Sequence, residues 1–146
     1  MSPSLSRRAW LQGAVGFVAL RAVPACAQIK APSFVAHAIP TPGAKPYLIT
    51  PGPDGAIWFC EYDGQVVRRV AGDGVITTIA GSGKKGYGGD RGPALQAAFN
   101  LPHEIRFGKN GDLFIVDMAN HAVRKVDLKS GVITTFAGGG GAGYGG

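Results

Sequence analysis

An imidazole stands directly beside a carboxylate once in the sequence, at His103-Glu104, immediately after Pro102. Both side chains can ligate a divalent cation or exchange protons near neutral pH. The plainer alternative is that His103 caps a strand and Glu104 pairs with Arg106 or with solvent. The other candidates are weaker. His121 follows Asn120 in what reads as a turn, where Asn tolerates the left-handed region. His37 is isolated. Cys60 closes the run Ile57-Trp58-Phe59-Cys60 and reads as a buried structural thiol. Spacing supports no Ser-His-Asp or Cys-His arrangement, and no paired-cysteine metal motif is present.

Gly81-Ser82-Gly83-Lys84-Lys85-Gly86 spells G-x-G-x-x-G after an apolar run, as a dinucleotide site would. The pattern returns at Gly138-Gly139-Gly140-Gly141-Ala142-Gly143. No βαβ unit surrounds either copy, and Gly83-Lys84-Lys85 lacks the Ser/Thr of a P-loop. The glycines therefore belong to a repeated loop rather than to a nucleotide site.

That repetition organises the elements that must position these side chains. Gly55-Ala56-Ile57-Trp58-Phe59 matches Gly111-Asp112-Leu113-Phe114-Ile115, and Val67-Arg68-Arg69-Val70 matches Val123-Arg124-Lys125-Val126, both at an offset of 56. Val75–Gly81 matches Val132–Gly138 at 57, and Gly86-Tyr87-Gly88-Gly89 returns as Gly143-Tyr144-Gly145-Gly146. In the second unit, Glu104–Phe107, Leu113–Asp117, Ala122–Asp127 and Val132–Phe136 are apolar or β-branched runs separated by turn signals. Short connections predict antiparallel pairing of neighbours, and a four-stranded unit repeated at this interval predicts a propeller blade. The expected fold is all-β, with about two four-stranded antiparallel blades forming a partial ring. A lone strand is expected at Phe34–Ile39. The insert 81–101 should carry one or two helical turns after Pro93.

On such blades the first strand lies nearest the axis. His103 and Glu104 begin that strand in the second unit, and Tyr47 and Leu48 hold the matching places in the first. Tyr47, His103 and Glu104 are therefore the candidate binding residues at the mouth of a central channel, with His103 the best metal candidate. Asp117 and Glu61 occupy equivalent strand ends and are suited to accept backbone N–H groups of the following turn.

Leu101-Pro102-His103-Glu104-Ile105, Asn110 to Asp117 and Asn120-His121-Ala122-Val123-Arg124-Lys125-Val126 resemble an NHL repeat, with Ala122 in place of the third residue of the Asn-His-Leu triplet. Gly86 to Ala94 resembles the long blade-to-blade loop of a bacterial NHL subgroup. Thr50 to Phe59 is similar to virginiamycin B lyase propellers. The resemblance covers about residues 40–146. It implies a binding scaffold or, alternatively, a metal-dependent lyase or lactonase in which Pro-His supplies a ligand or base. Ca²⁺ or Zn²⁺ are the cations such a site would take.

Residues 1–27 read as an address. Arg7-Arg8 precede an apolar stretch from Gly13 to Leu20, and Ala25-Cys26-Ala27 supplies a cleavage pattern. The paired arginines resemble a twin-arginine export signal, implying a periplasmic or secreted protein; acylation at Cys26 is the rival reading. The apolar stretch is shorter than the ~20 residues a bilayer span needs. Without Arg7, Arg8 and Arg21 the 15 basic residues become 12 against 9 acidic, and the net charge falls from +6 to +3. Cys60 then stands alone, so no internal disulfide is expected. With no basic run longer than two, nucleic acid is not an expected partner. Expected partners are a small molecule, a glycan or a protein. Residues 28–45 read as a strand and linker, 46–101 as a blade with its insert, and 102–146 as a second blade. Two units fall short of the ~4–8 blades of a closed ring. The expectation is an incomplete ring, or one completed by further copies of the chain.

Overall fold

The computed structural model describes residue 36 and residues 38–139. Residues 1–35, His37 and the second glycine loop from residue 140 onward lie outside the described residues, and with them the expected leader and half of the segment 34–39. Residues 36, 38 and 39 carry no strand.

The first sheet is a meander of β1 (Pro46–Pro51), β2 (Ile57–Glu61), β3 (Val66–Val70) and β4 (Ile76–Ala80), each antiparallel to the next. The second contains β6 (Pro102–Phe107), β7 (Leu113–Asp117), β8 (Ala122–Asp127) and β9 (Val132–Gly138) in the same order. The expected strands of the second unit thus form, extended by two residues at the start of the first and at the end of the last. The turns repeat as well. Gly55 donates its backbone N–H to the Gly52 carbonyl at 3.1 Å, and Gly111 does so to Gly108 at 3.0 Å. These short links leave no room for a crossover, so sequential strands pair.

The insert carries the expected helical turn after Pro93 and adds a strand that was not expected. Gly92–Pro93 forms a short β5 that pairs with Ile133 and Val132 of β9, so the second sheet has five strands. The helical portion is a single 3₁₀ turn, Ala94–Gln96, and Ala97 after it is already extended. The reason lies in the hydrogen bonds. The Ala97 carbonyl accepts both the backbone N–H and the hydroxyl of Ser82, at 2.8 and 3.0 Å, while Gly86 donates to the Phe99 carbonyl at 2.8 Å. An extended 97–99 segment meets these donors and sinks Phe99 completely; a longer helix would not.

The core lies between the sheets. Trp58, Cys60 and Val67 from the first blade meet Ala94, Ala97 and Phe99 of the insert and Ile105, Leu113, Ile115 and Ile133 of the second blade in one cluster. Successive residues Trp58, Phe59 and Cys60 are all buried, as expected of a strand covered on both faces. Trp58 meets Phe107 edge-on at 5.1 Å across the junction. No helix among the described residues is long and apolar enough to cross a membrane.

Candidate functional site

The register of each first strand slips at the equivalent dipeptide. Tyr47 pairs with Cys60 and Ile49 with Phe59, leaving Leu48 extra; Pro102 pairs with Asp117 and Glu104 with Val116, leaving His103 extra. Such bulges re-aim side chains at the ends of sheets. Here they bring the Tyr47 and His103 rings to 4.5 Å between centroids, tilted by 51°. Tyr62, just beyond β2, completes the group at 5.8 Å from Tyr47 and 6.5 Å from His103. These rings, with Lys45 and Met118, line a hollow of about 280 Å³. At its rim Lys45 pairs with Asp63 at 2.6 Å, where both side chains are largely in solvent.

The structure therefore joins two of the three candidates and separates the third. Glu104 does not line the hollow; its Oε1 meets Arg106 Nη2 at 2.6 Å. Tyr62, Lys45 and Met118 were not singled out in the sequence. Tyr62 follows Glu61, the first-unit counterpart of Asp117, and itself matches Met118; the antiparallel pairing of β1 with β2 places it beside Tyr47, its backbone N–H donating to the Lys45 carbonyl at 3.1 Å. Among the described residues no three His, Cys, Asp or Glu side chains come together as a metal site. His103 faces aromatic rings, a thioether and an ammonium group rather than carboxylates, so this set does not fit a divalent cation. The hollow can instead hold a flat, weakly polar face by stacking, with the Lys45 ammonium or the His103 imidazole as polar anchor.

Behind the hollow each blade carries an arginine against an acid at the same offset: Arg68 with Glu61 at 2.7 Å, and Arg124 with Asp117 at 3.5 Å. The Arg124 side chain is completely buried. It donates to the Gly88 carbonyl at 3.0 Å and to Asp90 at 2.6 Å, and its guanidinium lies 5.1 Å from the Tyr87 ring centroid. Tyr87 in turn shares a 2.8 Å hydrogen bond with Thr135. One buried cation thus fastens the Gly86–Asp90 loop of the insert to the second blade.

Asp117 does not accept from the backbone of the turn that follows it. Its donors are the Asn100 backbone N–H at 2.7 Å, the Asn120 amide at 2.8 Å and Arg124. Burial nonetheless raises its carboxyl above the ordinary value. In the first blade Gly64 stands where Asn120 stands in the second, and Glu61 Oε2 is left without a partner. The turn expected around Asn120-His121 is also refined: His121 itself adopts φ +52°, as does its counterpart Gln65 at +54°. Gln65 Oε1 accepts the Leu101 N–H at 2.8 Å, joining the first blade to the start of the second. Cys60 is fully buried, and desolvation pushes its thiol up to about 12, with the Glu104 charge adding to the effect. That is a packing thiol.

No family model matches the chain. It is 38% identical over 66 residues to NHL repeat-containing protein 2 of Gallus gallus, covering 44% of this chain and 8% of that protein. It is 45% identical over 42 residues to virginiamycin B lyase of Saccharopolyspora erythraea, covering 29% of this chain and 14% of that protein. Among solved structures, a streptogramin B lyase superposes with a TM-score of 0.54 at 22% identity, over 71% of this chain and 30% of that one. The virginiamycin B lyase of Staphylococcus aureus superposes at 0.52 with 30% identity, over 68% and 29%. The chain thus spans less than a third of these proteins. Its fold is of the NHL and virginiamycin B lyase-like propeller type, built here as blades of a partial propeller.

Proposed function

We propose that this chain is an exported propeller segment that serves as a binding module, holding a small molecule or glycan on the Tyr47–Tyr62–His103 cluster. The observation that carries the reading is the convergence of two bulged first strands on one aromatic hollow. Aromatic rings at hydrogen-bonding depth suit sugar faces and planar rings alike, because each offers an apolar surface with polar edges. The twin-arginine-type leader supports a periplasmic or secreted location. Further blades, from the same chain or from other copies, would complete the ring around the hollow.

A second reading is a lyase, favoured by the likeness to virginiamycin B lyase at 45% identity over 42 residues. In it His103 would act as the acid or base, with further groups from blades beyond the pair described.

One experiment separates the two. The full chain is titrated calorimetrically with virginiamycin B and, separately, with p-nitrophenyl glycosides, and each recovered probe is then compared with the starting material by chromatography and fragmentation mass spectrometry, since an elimination that opens a ring leaves the mass unchanged. The binding module requires saturable binding of at least one probe, an unchanged retention time and fragmentation pattern, and about a tenfold loss in Tyr62→Ala, the scale of one buried aromatic contact. A change in probe structure that disappears in His103→Ala would establish the lyase. Absence of saturable binding to every probe would exclude the proposed ligand classes.

A further inference from the structure

A second concavity opens at the other end of the strands, between the first blade and the insert that edges the second. Its volume is about 660 Å³, within the range of small-molecule sites. Trp58 and Ile79 form one side, and Leu95, Val126 and Leu128 contribute to the rest. The Trp58 wall is fixed before any ligand arrives. Its indole N–H donates to Asp54 at 3.2 Å, and its ring packs edge-on against Phe107.

Two guanidinium groups, those of Arg69 and Arg91, belong to the lining, against one carboxylate, Asp54. That carboxylate is already engaged by the Ala56 N–H, the Trp58 indole and Arg69 Nε. The Arg69–Asp54 contact is 2.5 Å, and it uses Nε alone, so the two terminal nitrogens of Arg69 have no partner among the described residues. Arg91 forms no ion pair among the described residues. Its backbone is held at φ +63° by donation to the Ile133 carbonyl at 2.7 Å. Gly would occupy that conformation about 1–2 kcal/mol more cheaply, yet the position carries a long cation. The groove is therefore an apolar slot with spare positive donors at its edge.

We infer that this inter-blade groove binds an amphipathic aryl anion, a carboxylate or sulfonate whose ring packs against Trp58 and Leu95 while its head meets Arg69 and Arg91. The site is separate from the aromatic hollow and is complete within the two blades, so it needs no additional blade.

The test uses the full chain carrying Trp10→Phe, which leaves Trp58 as the single tryptophan of the two in the sequence. The probes are 1-anilinonaphthalene-8-sulfonate and its uncharged analogue N-phenyl-1-naphthylamine, which share an aryl body and differ in the sulfonate. Energy transfer from Trp58 should saturate at one sulfonate probe per chain, with the uncharged analogue about tenfold weaker, the scale of one charge-assisted hydrogen bond. Arg91→Gly suits the left-handed backbone and so leaves the loop intact. It should weaken the sulfonate about tenfold while leaving the uncharged analogue unchanged. Arg91→Lys should fall between the two. Equal binding of both probes, or sulfonate binding that Arg91→Gly leaves untouched, would overturn the proposal.

Discussion

Arg124 shows how much a single residue can hold together. Its guanidinium serves Asp117, Asp90 and the Gly88 carbonyl at once, in a place closed to water. Arg124→Ala should cost about 3–5 kcal/mol, the range for stranding a buried partner, and thermal melts would show it as a large fall in midpoint. Arg124→Lys should not rescue, because an ammonium cannot replace the planar fork. Cys60 gives a simpler expectation. A thiol raised to about 12 should resist a thiol-reactive disulfide reagent in the native protein at pH 8 and react fully in denaturant. Two aspartates should titrate in opposite directions. Burial raises Asp117 above 3.8, so between 3.8 and its folded value the native state holds a proton that the unfolded chain has released. Its contribution to stability accordingly declines as pH rises through its folded value. The Arg69 guanidinium lowers Asp54, whose contribution is present above 3.8 and lost as pH falls through its folded value. Carboxyl resonances followed by NMR should show Asp117 titrating above 3.8 and Asp54 below it.

Elements were read from the sequence more fully than the chemistry between them. The four strands of the second blade follow from runs such as Leu113–Asp117, because a constant offset of 56 or 57 fixes each run twice. The helical turn after Pro93 was legible, but its 3₁₀ form and the five-stranded edge were not, since they depend on what Ser82, Gly86 and β9 demand of the insert's backbone. Tyr47 and His103 were legible through the repeat. Glu104 lies apart from them, because neighbouring residues of a strand point to opposite faces while residues two apart share one, and its carboxylate meets Arg106. The paired arginines and acids repeat at the same offset, and that repetition was the signal; charged residues in a strand otherwise read as solvated. The strand ends supply a sharp test. A Cβ on Gly138 would lie 2.1 Å from the His121 carbonyl oxygen, at φ +74°, whereas Gly131 at φ +71° has open space around it. Gly138→Ala should therefore cost at least about 2 kcal/mol and Gly131→Ala about 1 kcal/mol. Denaturant midpoints that fell equally for both would contradict the close approach at Gly138.

At the scale of the whole molecule, the two blades are joined by contacts of different kinds. Apolar packing of Trp58 on Phe107 fills the junction, the Gln65 bond to Leu101 sets its entry, and the Arg124-bound loop closes its outer side. Ile49 and Phe136 remain well exposed on the described surface. Such apolar residues on first and fourth strands suit contact with neighbouring blades. What the junction presents at one end is the Tyr47–Tyr62–His103 hollow, and its capacity to hold a ligand is the central functional claim. The most direct measurement is the imidazole resonance of His103, one of three histidines in the chain, followed by NMR while virginiamycin B or a p-nitrophenyl glycoside is added. A saturable shift at His103 that vanishes in Tyr47→Ala, with His37 and His121 unmoved, is the expected result. Saturable binding that leaves the His103 resonance in place would contradict it.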